Sequence, residues 1–398
     1  MHTTVEQSPD LAKPLLTRAF LILLITQTCF GMSFSAFFLV PKYLKLALAA
    51  TDTQIGLLGA VGAAAGVFAF PIVGSLNDRF GRKRFIVLGS MVMTLTAGAM
   101  LYIDSVGIAL YAVRILQGIS FALLFNSATT LVSDKVEPEQ LGRALAVFGA
   151  SMLATNALSP AASEWIADHH GWNAVFGFSI AWGLLSVACA PLVQEDARPT
   201  APRGPRPSMF ALIHEPRGRR IATLVATGGA GFGTIFIFHQ PYAISLGVKQ
   251  VSGFFVAYAL FALGVRLIVI GRVDNWGRQR VSAISLFVYA CAVACTAWLR
   301  PGLLEAIGAV MGLAHGVFYP VFNALAVEGV ALSQRGSMMA LYHGGFNAGM
   351  ALALVGGGAI AERFGYPALF LGVGFITLLG AWGLYTSDLS IPHNPTRT

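Results

Sequence analysis

A chain of 398 residues that is 56% hydrophobic and 11% charged, with a mean hydropathy of +0.70, is not an ordinary soluble domain, which carries about 25% charged residues. The net charge of +8 does not point to nucleic acid, because the bases lie in short loops between apolar runs. No cleavable leader is expected, since residues 1–16 are polar and the first apolar run is too long for a signal peptide. Cys29, Cys189, Cys291 and Cys295 all fall inside apolar runs, in neither a redox nor a zinc spacing, and read as packing residues.

Twelve runs are long enough to cross a bilayer as helices, at 19–41, 54–74, 84–103, 106–132, 142–164, 173–193, 220–243, 252–271, 281–299, 303–327, 336–360 and 366–386. The fold class is therefore an all-α polytopic membrane protein. Of the 26 Lys and Arg, Arg114 and Arg266 lie within spans, and Lys42, Lys45, Lys249, Arg300 and Arg363 lie on the side away from the termini. The remaining bases share a side with both termini, which the positive-inside rule places in the cytoplasm. The 195–219 connection, with Pro199, Pro202, Pro205, Pro207, Pro216 and five arginines, reads as an extended basic linker. It separates a first six-helix bundle (1–194) from a second (220–398), and Met209–Ile213 within it is a candidate for a short surface helix.

The halves repeat. A shift of 194 lays Gly118 on Gly312, Gly142 on Gly336, Gly171-Trp172 on Gly365-Tyr366 and Phe176 on Phe370. Asp78-x-x-Gly81-Arg82 recurs as Asp274-x-x-Gly277-Arg278, and Pro41 as Pro241. Between spans 2 and 3 lies Gly74-Ser75-Leu76-Asn77-Asp78-Arg79-Phe80-Gly81-Arg82-Lys83-Arg84. Such a charged hairpin belongs at the water interface. Gly74 removes a side chain where helices press together, Gly81 permits positive φ, and Asp78 suits a helix N-terminus elsewhere.

That G-x-L-x-D-R-x-G-R-K spacing, departing only at Asn77, resembles the motif of the major facilitator superfamily, and with the duplication the resemblance covers essentially the whole chain. It implies two pseudo-symmetric six-helix bundles that rock about a substrate site between them. Asp78 is expected near Gly336-Ser337 and Asp274 near Gly142-Arg143, each acid at a helix N-terminus that favours negative charge. In span 4, Leu110-x-x-x-Arg114-x-x-Gln117-Gly118 resembles a second motif, found in proton-coupled members, where the arginine is tied to proton movement or substrate charge. The fifth span departs from the drug-antiporter motif, since Ser159-Pro160-Ala161-Ala162-Ser163-Glu164 keeps the proline and loses the glycines.

Arg114 and Gln117 share a helix face, and an arginine at that depth needs an acid, carbonyls, water or an anionic ligand. A structural arginine satisfied by carbonyls is the plain alternative. Arg266 precedes Asp274 by eight residues, roughly 12 Å along a helix, too far for a simple pair; it is expected at the cytoplasmic mouth or snorkelling outward, with mouth-lining and structural roles both open. Span 10 carries His315, Tyr319 and Asn323 as a polar stripe, and span 11 carries Tyr342, His343 and Asn347, where the first half has Phe121, Phe125, Thr129, Phe148, Gly149 and Leu153. Gln27 in span 1, Asn126 in span 4 and His239 in span 7 complete the candidates for substrate and proton, and Pro241 is a candidate helix break. A lone intramembrane histidine is more often a packing residue. Gly74, Asp78, Arg79, Gly81, Arg82, Asp274, Gly277 and Arg278 are the candidate gating set. Gly228–Gly233 reads as helix packing rather than a nucleotide loop, and Asp168-His169-His170 as a solvated turn.

The expected function is secondary active transport, not enzymatic catalysis. The solute is expected to be small, polar and anionic or carboxylate-bearing, moved outward across the inner membrane with proton coupling. Neither cofactor nor metal is expected, and the partners are the solute, a coupling ion and lipid around a monomer. Alternatives are a carrier of neutral sugar-like solutes, a drug–proton antiporter, and, in another class, a non-transporting sensor or scaffold.

Overall fold

The computed structural model describes residues 17–136, 138–195, 209–269, 273–387 and 389, apart from the side chains at 78, 138, 139, 209, 210, 274, 332 and 333. Eleven of its helices are long and apolar enough to cross a membrane. They are α1 (Arg18–Ala47), α2 (Asp52–Asn77), α3 (Lys83–Tyr102), α4 (Ile108–Lys135), α5 (Gln140–His170), α6 (Trp172–Leu192), α7 (Pro216–Ser245), α8 (Ser252–Val269), α9 (Arg278–Trp298), α10 (Leu304–Val327) and a last stretch, Gln334–Thr386. That stretch leaves helical geometry at Gly365, where φ is 83°, and so makes two passes, α11 (334–364) and α12 (366–386). Twelve passes result, as the apolar runs require.

Local chemistry fixes the ends. Thr17 accepts the amide of Phe20 at the start of α1, and Thr51 with Gln54 forms a capping box at the start of α2. The turns repeat as the sequence does: Gly81 and Gly277 have φ of 93° and 81°, Gly171 and Gly365 of 79° and 83°. A side chain is strained at those angles, so the shared glycines mark the same turns in the two halves.

Alternating helix directions give the bundle two ends. Arg18, the 80–83 turn and Thr386 share one, the terminal end; the 47–52, 170–172, 245–252 and 365 turns share the other, the distal end. One apolar core, from Phe20 to Val193, lies within the first six passes. A second is built mostly from residues 212–389 and reaches across to Leu39, Ala60, Leu153 and Ala157. The cores meet where α2 packs on the α11–α12 stretch and α5 on α8.

Within the second half, α7 and α11 cross at backbone contact. A Cβ on Gly229 would lie 1.9 Å from the Phe346 carbonyl oxygen, and one on Gly349 1.9 Å from that of Ala226. The glycine run 228–233 is therefore a packing face. Gly74 is not one here: a Cβ there would meet Asn126 Nδ2 at an ordinary 3.7 Å.

Three helix boundaries differ from the sequence reading. Helix α1 does not stop at Pro41; a 3₁₀ turn at Ala36–Leu39 leads into Val40–Ala47, where proline occupies a first-turn position that needs no donor. Lys42 thereby lies within the helix and is buried. Helix α7 runs unbroken through Pro241 to Ser245, and the Gln240 side chain binds the Phe236 carbonyl oxygen at 3.2 Å within it. The short helix in the linker is Met209–His214, with Leu212 buried; residues 196–208 lie outside the described residues.

Candidate functional site

Aromatic rings of the two halves pack in groups, most of them half-buried. Phe34, Phe70, Phe121 and Phe125 stack in the first half, with Phe34 and Phe121 centroids 4.8 Å apart. Phe232, Phe346 and Tyr319 stand in the second, and Phe38 joins the two by packing on Phe236 and Phe255. Such a surface binds flat apolar bodies without strict shape demands.

The polar residues set into these walls are those of spans 4, 10 and 11. Arg114 Nη1 donates to Gln117 Oε1 at 2.6 Å, as their three-residue spacing allows, and its Nε has no hydrogen-bond partner. Among the described residues no carboxylate pairs with Arg114. Helix α2 offers it a bare face: Nη2 lies 3.8 Å from a Cβ position on Gly62, and Asn347 Oδ1 4.0 Å from one on Gly66, a turn further on. The two polar stripes come together. The Tyr319 hydroxyl and His343 Nδ1 are 2.6 Å apart, Asn323 Nδ2 is 3.4 Å from His343 Nε2, the Tyr342 hydroxyl donates to the Tyr319 carbonyl at 2.9 Å, and Asn347 donates to the His343 carbonyl at 2.9 Å. His315 joins a residue the sequence reading passed over: its Nδ1 is 2.6 Å from the Tyr258 hydroxyl, while its Nε2 has no partner.

Arg266 does not snorkel. Its Nε donates to the Gly316 carbonyl at 3.2 Å, and Nη1 lies 3.7 Å from a Cβ position on Gly149 of α5.

Other candidates stand apart from this cleft. Gln27 donates to the Phe148 carbonyl and to Ser151, fastening α1 to α5, and is 1% exposed. Asn126 donates to the Phe70 carbonyl, tying α4 to α2. Both tie neighbouring helices together, and Gln27 Oε1 has no partner. His239 is wholly buried near the distal end, with Nδ1 on the Ile235 carbonyl at 2.6 Å and its ring 4.2 Å from that of Phe254.

The distal end is closed by contacts between the halves. Glu164 of α5 binds the ammonium of Lys42 at 2.6 Å, and the two side chains are only 3% and 4% exposed. It also accepts the amides of Val251 and Ser252, at the start of α8, at 2.8 Å each. Gln240 donates to the Phe38 carbonyl at 2.7 Å, Glu362 accepts the amide of Thr53, and the Tyr366 hydroxyl donates to Asp52 at 2.7 Å. Glu164, the last residue of the fifth apolar run, is therefore a buried acid within a helix. The signal was legible: opposite charges sit at the last turns of spans 1 and 5.

At the terminal end, Glu195 accepts the amides of Arg82 and Lys83, closing the start of α3, and Arg82 reaches Asp134 at 2.8 Å. Asn77, the departure from the motif, accepts the Ser127 hydroxyl at 2.8 Å. Arg79 is exposed, its guanidinium 4.9 Å from the Phe80 ring centre, and Arg278 meets Glu328 at 3.4 Å. The side chains of Asp78 and Asp274 lie outside the described residues, so their docking does too. Gly336 and Gly142, the expected docking points, have open space where a Cβ would be.

Two six-pass cores packed on each other, with contacts between the halves at the distal end, have the architecture of a membrane transporter. The model of the Major Facilitator Superfamily matches residues 21–302 and 257–397, and the chain belongs to that family. It is 25% identical over 289 residues to the multi-drug resistance efflux pump PmrA of Streptococcus pneumoniae, covering 68% of this chain and 70% of that one. It is 27% identical over 194 residues to the tetracenomycin C resistance and export protein of Streptomyces glaucescens, 49% of this chain and 34% of that one. Among solved structures, the human organic anion transporter MFSD10 superposes with a TM-score of 0.69 at 16% identity, covering 92% of this chain and 99% of that one. The nucleoside transporter NupG does so with 0.72 at 16%, covering 92% and 98%.

Proposed function

We propose that this chain exports small anionic, carboxylate-bearing solutes across the inner membrane by alternating access, in exchange for protons, with both termini cytoplasmic. The observation that carries the reading is Arg114, a fixed cation within a span and without a carboxylate partner among the described residues. An unpaired buried charge costs several kcal/mol. A carboxylate or sulfonate at Arg114 lowers that cost through charge-assisted hydrogen bonds, and a cation raises it. The stacked rings of the two halves favour a solute with a flat apolar body. Efflux is supported by relatives named as resistance and export pumps. In this reading the terminal end is cytoplasmic, and the closed distal end makes the conformation inward-facing.

The test uses two permanently charged probes of one shape, 2-naphthalenesulfonate and trimethyl(2-naphthylmethyl)ammonium, with purified protein in liposomes. Exchange of the anion with accompanying proton movement is expected, weakened in Arg114→Lys and absent in Arg114→Ala. The drug–proton antiporter reading, which the names of the relatives favour, predicts the reverse. Transport of the cation that survives Arg114→Ala would overturn the anionic reading.

A further inference from the structure

A face of glycine and alanine on α2 brings a polar group of each half to one place. Gly62 and Gly66 are one turn apart, with Ala63, Ala64 and Ala65 between them. Arg114 of the first half lies against this face, with Nη2 3.8 Å from a Cβ position on Gly62. Asn347 of the second half does the same, with Oδ1 4.0 Å from a Cβ position on Gly66. Helix α4 approaches α2 closely here, since a Cβ on Gly118 would stand 2.3 Å from the Gly62 carbonyl oxygen. Cβ atoms four residues apart on a helix are separated by about 6 Å, so Nη2 and Oδ1 stand at most about 14 Å apart.

The hydrogen-bonding sense of each group is fixed by its partner. A guanidinium can only donate, so the Gln117 atom 2.6 Å from Arg114 Nη1 is the carbonyl oxygen, and the other end of that amide is the amino group. That Nε2 has no partner although Gln117 is 1% exposed, and Arg114 Nε has none either. With Nη1 held by Gln117, the guanidinium is left with its Nε–Nη2 edge, which has no hydrogen-bond partner among the described residues. Two parallel N–H bonds from such an edge fit a carboxylate or a sulfonate.

The opposite sense holds in the second half. A backbone carbonyl can only accept, so the Asn347 atom 2.9 Å from the His343 carbonyl is Nδ2. The atom turned toward α2 is therefore Oδ1, an acceptor, and it takes no hydrogen bond among the described residues. Other polar groups of α10 and α11 are engaged with each other: His343 meets Tyr319 at Nδ1 and Asn323 at Nε2, and Tyr342 donates to the Tyr319 carbonyl. One half thus offers donors to a solute and the other an acceptor.

We infer that the solute is an aromatic anion with a hydrogen-bond donor, a hydroxyl or an N–H, at the end remote from its acidic group, and that Asn347 selects for that donor. The acid lies on the Nε–Nη2 edge of Arg114 and the donor on Asn347 Oδ1, so a bound solute ties the first half to the second along α2. Hydrogen bonds of about 2.9 Å at each end leave at most about 8 Å between the solute's polar groups, the length of a body of one or two rings. A far end with only lone pairs meets Oδ1 with like charge, and an apolar far end takes water from Oδ1 without replacing it. The inference rests on the anionic reading above and adds the chemistry of the far end.

The experiment is competition at pH 7 against exchange of 2-naphthalenesulfonate by the protein in liposomes. The competitors are the 5-, 6- and 7-hydroxy derivatives of that anion and their methoxy counterparts, which keep the oxygen and lose its hydrogen. At least one hydroxy compound should compete about fivefold better than both its methoxy counterpart and the unsubstituted anion, the ratio given by one net hydrogen bond of about 1 kcal/mol. In Asn347→Leu the ratio should fall to within about twofold of unity, whatever the absolute rate of exchange. The one hydrogen bond described for Asn347 lies within its own helix, and Asn347→Ala reads the same ratio should Asn347→Leu not insert. Arg114→Lys should weaken every member of the series and keep the ratio. A hydroxyl advantage at no position, or one that survives both Asn347 variants, overturns the inference and leaves the anionic reading standing. Failure of the parent protein to exchange 2-naphthalenesulfonate overturns the anionic reading and the inference with it.

Discussion

Gly349→Ala tests the crossing on which the second half is built. The added Cβ would lie 1.9 Å from the Ala226 carbonyl oxygen, 2.5 Å from its carbon and 2.6 Å from its Cα. These are backbone atoms of a continuous helix and cannot rotate aside. An ordinary carbon–oxygen contact is about 3.3 Å, so α7 and α11 must part by roughly 1.4 Å or the backbone must bend. A gap of about 0.5–1 Å already forfeits a quarter to a half of a dispersion contact, and the same crossing holds Gly229 against Phe346, Gly345 against Ala222 and Gly233 against Met350. Overpacking of this kind costs about 1–3 kcal/mol, against a helix-propensity gain of about 1 kcal/mol for replacing glycine by alanine. The rigidity of the opposing backbone puts the cost at the upper end, so a net loss of about 2 kcal/mol is expected. Gly356→Ala, on the same helix with nothing within 4 Å of its Cβ position, should be neutral or slightly stabilising. Thermal unfolding of both purified variants in one detergent checks this. Equal melting temperatures for the two would refute the close approach of α7 and α11.

Other perturbations separate the remaining parts. Glu195→Ala leaves the Arg82 and Lys83 amides without their acceptor and should cost about 1–2 kcal/mol, as loss of a helix cap does; Glu195→Gln, which keeps an acceptor oxygen, should recover part of it in the same unfolding assay. Single cysteines at Phe80 and Pro205, in a cysteine-free background, should resist an impermeant thiol reagent added outside intact cells, and labelling of either would reverse the orientation. Asp78→Asn should insert and fold normally yet lose most transport of 2-naphthalenesulfonate, because a neutral side chain stabilises a helix N-terminus less; full activity would remove the acid from the gating set.

By itself the sequence determined the twelve passes, their turns and the polar stripes. Apolar length dictates a bilayer crossing, and the repeated glycines at 81, 277, 171 and 365 needed only their backbone freedom to mark the same turns twice. Helical spacing sufficed to put Arg114 on Gln117, and the polar positions of α10 and α11 on faces that meet at Tyr319 and His343. Tertiary structure decided what crosses between helices far apart in the chain. Gln27 and Asn126 donate to carbonyls of neighbouring helices, and no spacing within one helix reveals that. Tyr258 reads as one more aromatic in an apolar run until α8 packs on α10 and its hydroxyl reaches His315. Lys42 and Glu164, 122 residues apart, become one buried pair only because α1 and α5 close side by side over the first turn of α8. Their charges were visible in the chain, but their burial comes from the closing of one half on the other.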